Sequence, residues 1–411
     1  APPLGAGGLQ DPPDDGGRRR PRKRRPWERG SMQGPGDLVD EASRQDYIQH
    51  EVARFVPMLP HPLSMQDFLD MLEPARLAKF LHEEVLVRSA ERIRWIQDVE
   101  GWEEIEELRA VRAQHLDGFR ALRLVRRVPT LDAFSEVVRS MMDSLQDVPQ
   151  DLTRAMRRLN LLRGDKYGSD FTDKWLDDFF LSYIGTQMLM AQYLACWEAQ
   201  CSSTGAGTHR RSTGIIDPDC EPARVCSDAA TEIQAICKSL TGRRPVYTLE
   251  VHSAAGDDRG GSPRFSFVPG FLKVIVMEIL KNSFRATAEI VKSTAELSQR
   301  PTSIIVCADD KHVAIRISDR AGGIPFDIGS RAWSYSYSTT GIDPDAEGEA
   351  TELAGYGVGL PLSRLYARYL GGTLDLVSLP GYGTSVDIFL RRVSAEQVEV
   401  VPDSDKQPER A

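Results

Sequence analysis

From about residue 44 to residue 202, apolar residues recur at i, i+3, i+4 and i+7, the period of a helix with one buried face. The segments LAKFLHEEVLVRSAERIRWIQDV (77–99), LDAFSEVVRSMMDSL (131–145) and FTDKWLDDFFLSYIGTQMLMAQYLACW (171–197) carry the pattern most clearly. Pro129-Thr130 and Pro149-Gln150 punctuate it, and long amphipathic helices with short breaks predict an antiparallel bundle of about four helices. A polar, glycine-containing run, SSTGAGTHRR (202–211), closes this region. Beyond about residue 215 the period shortens. VYTLEVHS, TSIIVCADD, HVAIRISD, TLDLVSLP and TSVDIFLRR alternate and are β-branched, as strands do. Between them ARVCSDAATEIQAICKSL, VPGFLKVIVMEILKNSFRATAEIV and GLPLSRLYARYL read as helices. Antiparallel strands interleaved with helices predict an α/β sandwich. No repeat of solenoid period is visible.

Residues 1–43 are rich in Gly, Pro, Asp and Arg and nearly lack large apolar side chains. Such a segment buries too little surface to offset the entropy of ordering it, so a disordered leader is expected. Its basic run RRRPRKRRPWER (18–29) carries about +7, so the remainder of a chain of net charge -9 carries about -16. The run suits an organelle-targeting remnant, a nuclear signal or a plain solvated linker, and its composition does not choose among them. An acidic body argues against general nucleic-acid binding, which rests on neutralising phosphates. No apolar run approaches ~18 residues, so no membrane insertion is expected. The six cysteines form no CxxC pair and the seven histidines are scattered. That spacing argues against a zinc site or a disulfide framework and suits reduced thiols inside a cell. The length of 411 residues accommodates two or three domains. The boundaries expected are a leader at 1–43, a helical domain at 44–212, an α/β domain at 213–395 and a flexible tail at 396–411.

Four short segments in the second half carry chemistry. On the strongest helix, Glu278, Asn282 and Arg285 fall at i, i+4 and i+7, so one face presents an acid, an amide and a cation. A carboxylate and an amide oxygen are hard ligands suited to Mg²⁺, directly or through water. After a strand comes Asp319-Arg-Ala-Gly322-Gly323-Ile-Pro325, where an aspartate can accept a hydrogen bond from an exocyclic amine such as adenine's. Gly322 and Gly323 would let backbone approach a flat ring. Gly355-Tyr356-Gly357-Val358-Gly359-Leu360-Pro361 leads into a helix, whose N-terminus offers N–H groups and a positive dipole end to phosphates. Gly381-Tyr-Gly383-Thr384 opens the last strand, where a hydroxyl can complete an adenine pocket. Taken singly, these are a solvated helix face, a strand-ending turn, a weak GxGxG and a hairpin turn.

In this order the four boxes resemble the GHKL ATPases, the superfamily of gyrase, Hsp90-type chaperones, histidine kinases and MutL-type repair proteins. The fold this implies is a two-domain chain: an all-α four-helix bundle followed by an α/β sandwich of the GHKL (Bergerat) type. The Gly- and acid-rich stretch between Ser330 and Ala354, with its SYSYSTTG, looks like a lid over the nucleotide. The resemblance sharpens in EILKNSFRATAE, SDRAGGIP, SYSYSTT and GYGVGLPLSRLYARYLGG, and upstream in PLSMQDFLD, HEEVLVRSAERI, FFLSYIGTQML and DPDCEPARVCSDA. All are similar to the mitochondrial 2-oxoacid dehydrogenase kinases, the pyruvate and branched-chain kinases, over about residues 55–395. The resemblance implies a helical regulatory domain, a kinase domain, ATP and Mg²⁺ as cofactors, a homodimer in the mitochondrial matrix and serine phosphorylation of a dehydrogenase E1 component. It also implies docking on the lipoyl domain of the E2 core. Nucleotide contacts carry over to Glu278 through Arg285, Asp319, Gly323, Ser338, Thr339 and Gly355 through Leu360. Asn282 would hold Mg²⁺, Thr384 would seat adenine through water, and Glu278 would be the general base.

The chain also departs from the family. A histidine one turn before the catalytic glutamate is replaced by Val274. A His-and-Arg pocket for small oxoacids is matched by Leu124, Tyr183 and Gln187, which puts carboxylate feedback inhibition in doubt. The Asp-Trp tail of the pyruvate kinases has no counterpart, the last tryptophan being Trp333. A pyruvate dehydrogenase kinase is the first expectation, ahead of a branched-chain kinase. An ATP-binding regulatory or scaffold protein with little catalysis is the alternative from another class, motivated by Val274.

Overall fold

The computed structural model describes residues 41–125, 130–202, 214–253, 262–291, 293–309, 311–337 and 357–391. The helical half runs α1 (Glu41–Phe55), α2 (Met65–Asp70), α3 (Pro74–Asp98), α4 (Glu106–Val125), α5 (Leu131–Ser144), α6 (Val148–Arg163) and α7 (Ser169–Ser202). α1 begins three residues inside the segment expected to be a leader; residues 1–40 and the tail at 396–411 lie outside the described residues. Helix starts follow local chemistry. The Ser64 hydroxyl accepts from the Asp67 amide and the Asp67 carboxylate accepts from the Ser64 amide at 2.7 Å, a capping box that starts α2. Thr130 caps α5, and Pro149 lies in the first turn of α6, where its missing N–H costs nothing. Pro149 therefore opens a helix.

α3, α4 and α7 pack against one another or through α5 and α6, and the last two share the remaining side of the bundle by each packing on α4 and α7. The expected number of about four helices thus holds for the bundle walls, with one wall broken in two and α1 and α2 added outside. α7, at 34 residues, is about 51 Å long and is buried over much of its length.

The second half runs β1 (Asp217–Cys220), α8 (Pro222–Thr241), β2 (Tyr247–Ser253), β3 (Phe265–Phe267), α9 (Pro269–Ile290), α10 (Thr294–Ser298), β4 (Thr302–Ala308), β5 (His312–Ser318), α11 (Phe326–Gly329), α12 (Gly359–Tyr369), β6 (Thr373–Leu379) and β7 (Gly383–Arg391). All five expected strands form one sheet in the order β2-β4-β5-β7-β6. β2 pairs with β4 in parallel, which corrects the expectation of an antiparallel sheet throughout; the remaining pairs are antiparallel. The small antiparallel β1–β3 ribbon was not expected, because three or four residues are too short to show a period. Ile304, Val306, Val313, Ile315, Ile317, Val386, Ile388 and Leu390 line the buried face of the sheet. α8, α9 and α12 lie against the sheet, giving the expected two-layer sandwich. On the open face Arg316 grips Asp387 with two bonds of 2.6 and 2.9 Å. α12 also packs on α7, so α12 is held by both halves of the chain. Among the described residues no helix is long and apolar enough to cross a membrane.

Candidate nucleotide site

α9 turns its apolar stripe, including Leu272, Ile275, Val276, Ile279, Leu280 and Phe284, into the core. The opposite face carries Val274, Glu278, Asn282 and Arg285, so the predicted face exists: Asn282 is exposed, Glu278 and Arg285 are half-buried. Lys281, which sequence reasoning did not single out, donates to Glu278 Oε1 at 2.7 Å. Its i,i+3 spacing was there to be read. The other carboxylate oxygen, Oε2, lies against Gly359, where a side-chain Cβ would collide with it. Gly359 is the first residue of α12, so the helix brings the acid to the positive end of a second helix.

Asp319 follows β5 and is buried, with its Oδ1 accepting from the amides of Ala321 (3.0 Å) and Thr384 (3.2 Å). Its backbone N–H donates to the Thr384 carbonyl at 2.9 Å. The Ser283 hydroxyl, on α9, also bonds the carboxylate. Burial raises the Asp319 pKa, and the bonds from Ala321, Thr384 and Ser283 work against that rise. The carboxylate is thereby fixed on one side by its own turn and on the other by the helix that carries Glu278. Ser283 was missed because a serine inside an amphipathic pattern reads as a neutral spacer.

The turn after Asp319 locks into the β6–β7 hairpin. Gly322 accepts from Gly381 N at 2.7 Å and donates to the Tyr382 carbonyl at 3.1 Å. Gly323 adopts φ +70° with the Leu379 carbonyl where a Cβ would stand, so only glycine fits. Ser378 Oγ accepts from Ile324 N at 2.6 Å and lies 3.0 Å from Thr384 Oγ1. Gly322, at φ +82°, has open space on its Cβ side, room for a flat ring beside Asp319. The two boxes that sequence separates by some sixty residues are one turn cluster, with Thr384 at its centre.

Of the glycine run, Gly357 to Leu360 are described; Gly355, Tyr356, Ser338 and Thr339, and with them most of the expected lid, lie outside the described residues. Gly357 has φ +76°, and Val358 and Gly359 lead directly into α12. The chain entering this region is pinned to the helical half. Tyr335 is buried, its hydroxyl donates to Asp177 Oδ1 (2.9 Å), and its amide donates to Asp173 Oδ1 (3.0 Å).

The helical half carries a pocket of about 310 Å³ lined by Tyr183, Gln187, Arg139, Met142, Gln146 and Glu198, among others. Tyr183 and Gln187 come together there as the resemblance implied. Leu124 does not: it is exposed on α4 and absent from the lining. Nor is the pocket without a cation, since Arg139 lines it, paired with Glu198 at 3.1 Å. Deeper in the bundle Arg92 is fully buried and donates to the Ser182 carbonyl (2.9 Å) and to Thr186 Oγ1 (2.7 Å). His115 is fully buried as well, and its pKa lies well below the usual value because of burial and then the Arg92 charge.

An acid-and-amide helix, an Asp-x-x-Gly-Gly turn locked to a Gly-x-Gly-Thr hairpin, and a glycine run opening a helix, all on one face of a mixed sheet, define a nucleotide-binding domain of the GHKL class. Residues 268–394 match the family described as histidine kinase-, DNA gyrase B- and HSP90-like ATPase, and residues 62–217 match that described as mitochondrial branched-chain alpha-ketoacid dehydrogenase kinase. The chain belongs to the mitochondrial 2-oxoacid dehydrogenase kinase family. It is 30% identical over 365 residues to the mitochondrial pyruvate dehydrogenase (acetyl-transferring) kinase of Ascaris suum, covering 86% of this chain and 89% of that one. With isozyme 4 of that kinase from Homo sapiens it shares 29% identity over 392 residues, 91% of this chain and 89% of the relative. With isozyme 4 from Ictidomys tridecemlineatus the identity is 37% over 228 residues, and in that match the chain spans about half of the relative, 53% of its length.

Proposed function

We propose that this protein is an ATP-dependent protein-serine kinase of the mitochondrial matrix that phosphorylates, and so inactivates, the E1 component of a 2-oxoacid dehydrogenase complex, pyruvate dehydrogenase first. The observation that carries the reading is the meeting of the Glu278 carboxylate with the N-terminus of α12, in a helix whose Ser283 also fixes Asp319. One helix thus spans the place for the purine and the place for the phosphates. The relatives named as mitochondrial pyruvate dehydrogenase kinases favour that substrate, while the match of the helical half to the branched-chain kinase family keeps the second complex in the test.

The roles follow from the residues. Asp319, held by Ala321, Thr384 and Ser283, accepts from the adenine amine, with Gly322 and Gly323 giving the ring room and Thr384 completing the pocket through water. The N–H groups of Gly357 to Leu360 and the dipole of α12 receive the phosphates, with Arg285 beside them, and the family resemblance assigns Ser338, Thr339, Gly355 and Tyr356 to the same nucleotide. ATP supplies the transferable phosphoryl group, and Mg²⁺ neutralises charge on it. A single amide oxygen from exposed Asn282 suits a cation that keeps phosphate and water ligands. Glu278 orients the substrate serine and takes its proton through Oε2, while Lys281 holds Oε1. Phosphoryl transfer proceeds through a loose transition state, so the base contributes less than positioning and charge neutralisation do. Family membership further supports a homodimer, docking on the E2 lipoyl domain and the division into helical and catalytic domains near residue 212.

The test is transfer of labelled phosphate from ATP-Mg²⁺ to purified pyruvate and branched-chain E1, with Glu278→Gln as control. Label on one E1 that falls by about 10²-fold or more in the control establishes the kinase and its substrate. ATP binding without transfer to either E1 sinks the kinase reading and supports the ATP-binding regulator, the reading that Val274 at the helix turn before Glu278 motivates.

A further inference from the structure

We infer that Arg157, in the helical half, is a positioning residue for the nucleotide site, an inference that rests on the nucleotide reading above. Arg157 stands on α6, far from every motif box in the sequence. Its Nε donates to the Tyr335 carbonyl at 2.7 Å. Its Nη2 is buried, has no hydrogen-bond partner among the described residues, and lies on the Cβ side of Gly357, on the same side as the Tyr337 carbonyl. One guanidinium therefore touches the chain just before residue 338 and the chain just after residue 356.

The contact is built. Asp173, whose Oδ1 accepts from the Tyr335 amide, also sits close enough to favour the charged form of Arg157, while burial works against it. Tyr335 is anchored independently through Asp177 and edge-on to Phe180, with ring centroids 5.5 Å apart. Gly357, at φ +76°, is the residue that lets backbone pass this close to the guanidinium. Two residues on, Gly359 meets the Glu278 carboxylate. The guanidinium fork thus sets the height of the glycine run above α6, and through it the first turn of α12, where phosphates and Glu278 converge. A lysine could supply the charge but not both the bond to Tyr335 and a group packed against Gly357.

The experiment uses the full chain with Arg157→Met and Arg157→Lys, read by calorimetric titration with ATP-Mg²⁺ and by steady-state kinetics on E1. The expected result is a rise of about tenfold in the ATP Kd and KM for Arg157→Met, as loss of the charge-assisted bond to Tyr335 lets the glycine run shift, with partial recovery in Arg157→Lys. The KM for E1 stays within twofold, a split that a general loss of folding would not give. Should Arg157→Met fail to fold, Asp173→Asn keeps an acceptor for the Tyr335 amide and removes the charge beside Arg157; a rise in ATP Kd of about threefold is then expected. An ATP Kd within twofold of wild type in the folded variant overturns the inference while leaving the kinase reading intact. Wild-type protein that binds no ATP overturns both.

Discussion

The Glu278 carboxylate rests against Gly359, so the acid of one motif and the glycine of another form a single surface at the start of α12. Gly359 does not adopt a positive φ, and alanine there suits a helix better than glycine does. A methyl group would nonetheless occupy the place of Oε2 and turn the carboxylate away. Gly359→Ala is expected to leave the unfolding midpoint unchanged or slightly raised while lowering kcat about tenfold or more. Paired denaturation and E1 phosphorylation assays check it; a kcat within twofold of wild type would show that Oε2 has no role at this spot.

Asp319→Asn separates the structural half of its carboxylate from the half left for ligand. An amide oxygen can still accept from Ala321 and Thr384, so the turn should persist. The charge and the second acceptor are lost, at a cost of about 1.5–3 kcal/mol in nucleotide affinity, or roughly 10- to 150-fold in Kd. Titration with ADP measures this directly, and an unchanged Kd would remove Asp319 from the adenine pocket.

Gly323→Ala tests the lock between the Asp319 turn and the β6–β7 hairpin. At φ +70° an L-residue costs about 1–2 kcal/mol before contacts are counted. The Leu379 carbonyl leaves no space for the methyl group, and backbone cannot yield as a side chain can. A stability loss above about 2 kcal/mol is expected in urea unfolding. A smaller loss would mean that the hairpin shifts freely.

His115 makes stability depend on acid. Burial, reinforced by Arg92, holds its folded pKa well below 6.5, whereas the unfolded side chain takes a proton near pH 6.5. Below pH 6.5 the unfolded state therefore binds more protons, and stability falls as pH drops, by up to about 1.4 kcal/mol per pH unit, until the folded pKa is reached. Half-buried acids such as Glu91, raised to about 7 chiefly by desolvation, tilt the curve the other way, and they do so in wild type and variant alike. The comparison to make is wild type against His115→Leu in urea melts from pH 7.5 to 5. The variant should lose less stability toward acid; parallel curves would mean that His115 is protonated in the fold.

Every strand of the main sheet, and α8, α9 and α12, were legible along the chain, because each is long enough to show its period and most have glycine or proline at one end or both. α4 and α6 were harder to see. α4 buries Leu108, Val111, His115, Phe119 and Leu122 at helical spacing, yet a dense coat of charge between them masks the stripe. The residue types and spacing of Glu278, Asn282, Asp319 and the glycine run were also readable, since helix spacing and turn residues are local properties; the roles proposed for them came from the family resemblance. The parallel pairing of β2 with β4 was not readable, because strand direction depends on which crossover the packing permits. Nor were Ser283 on Asp319, Oε2 of Glu278 on Gly359, or Arg157 at Gly357. Those contacts join residues far apart in the chain, and no local pattern encodes which of several serines or arginines the fold will turn inward. The sequence by itself determined the elements and the kinds of group each could offer. The tertiary structure decided which groups meet, because burial and close packing leave one arrangement in which Asp319, Glu278 and the first turn of α12 share a face.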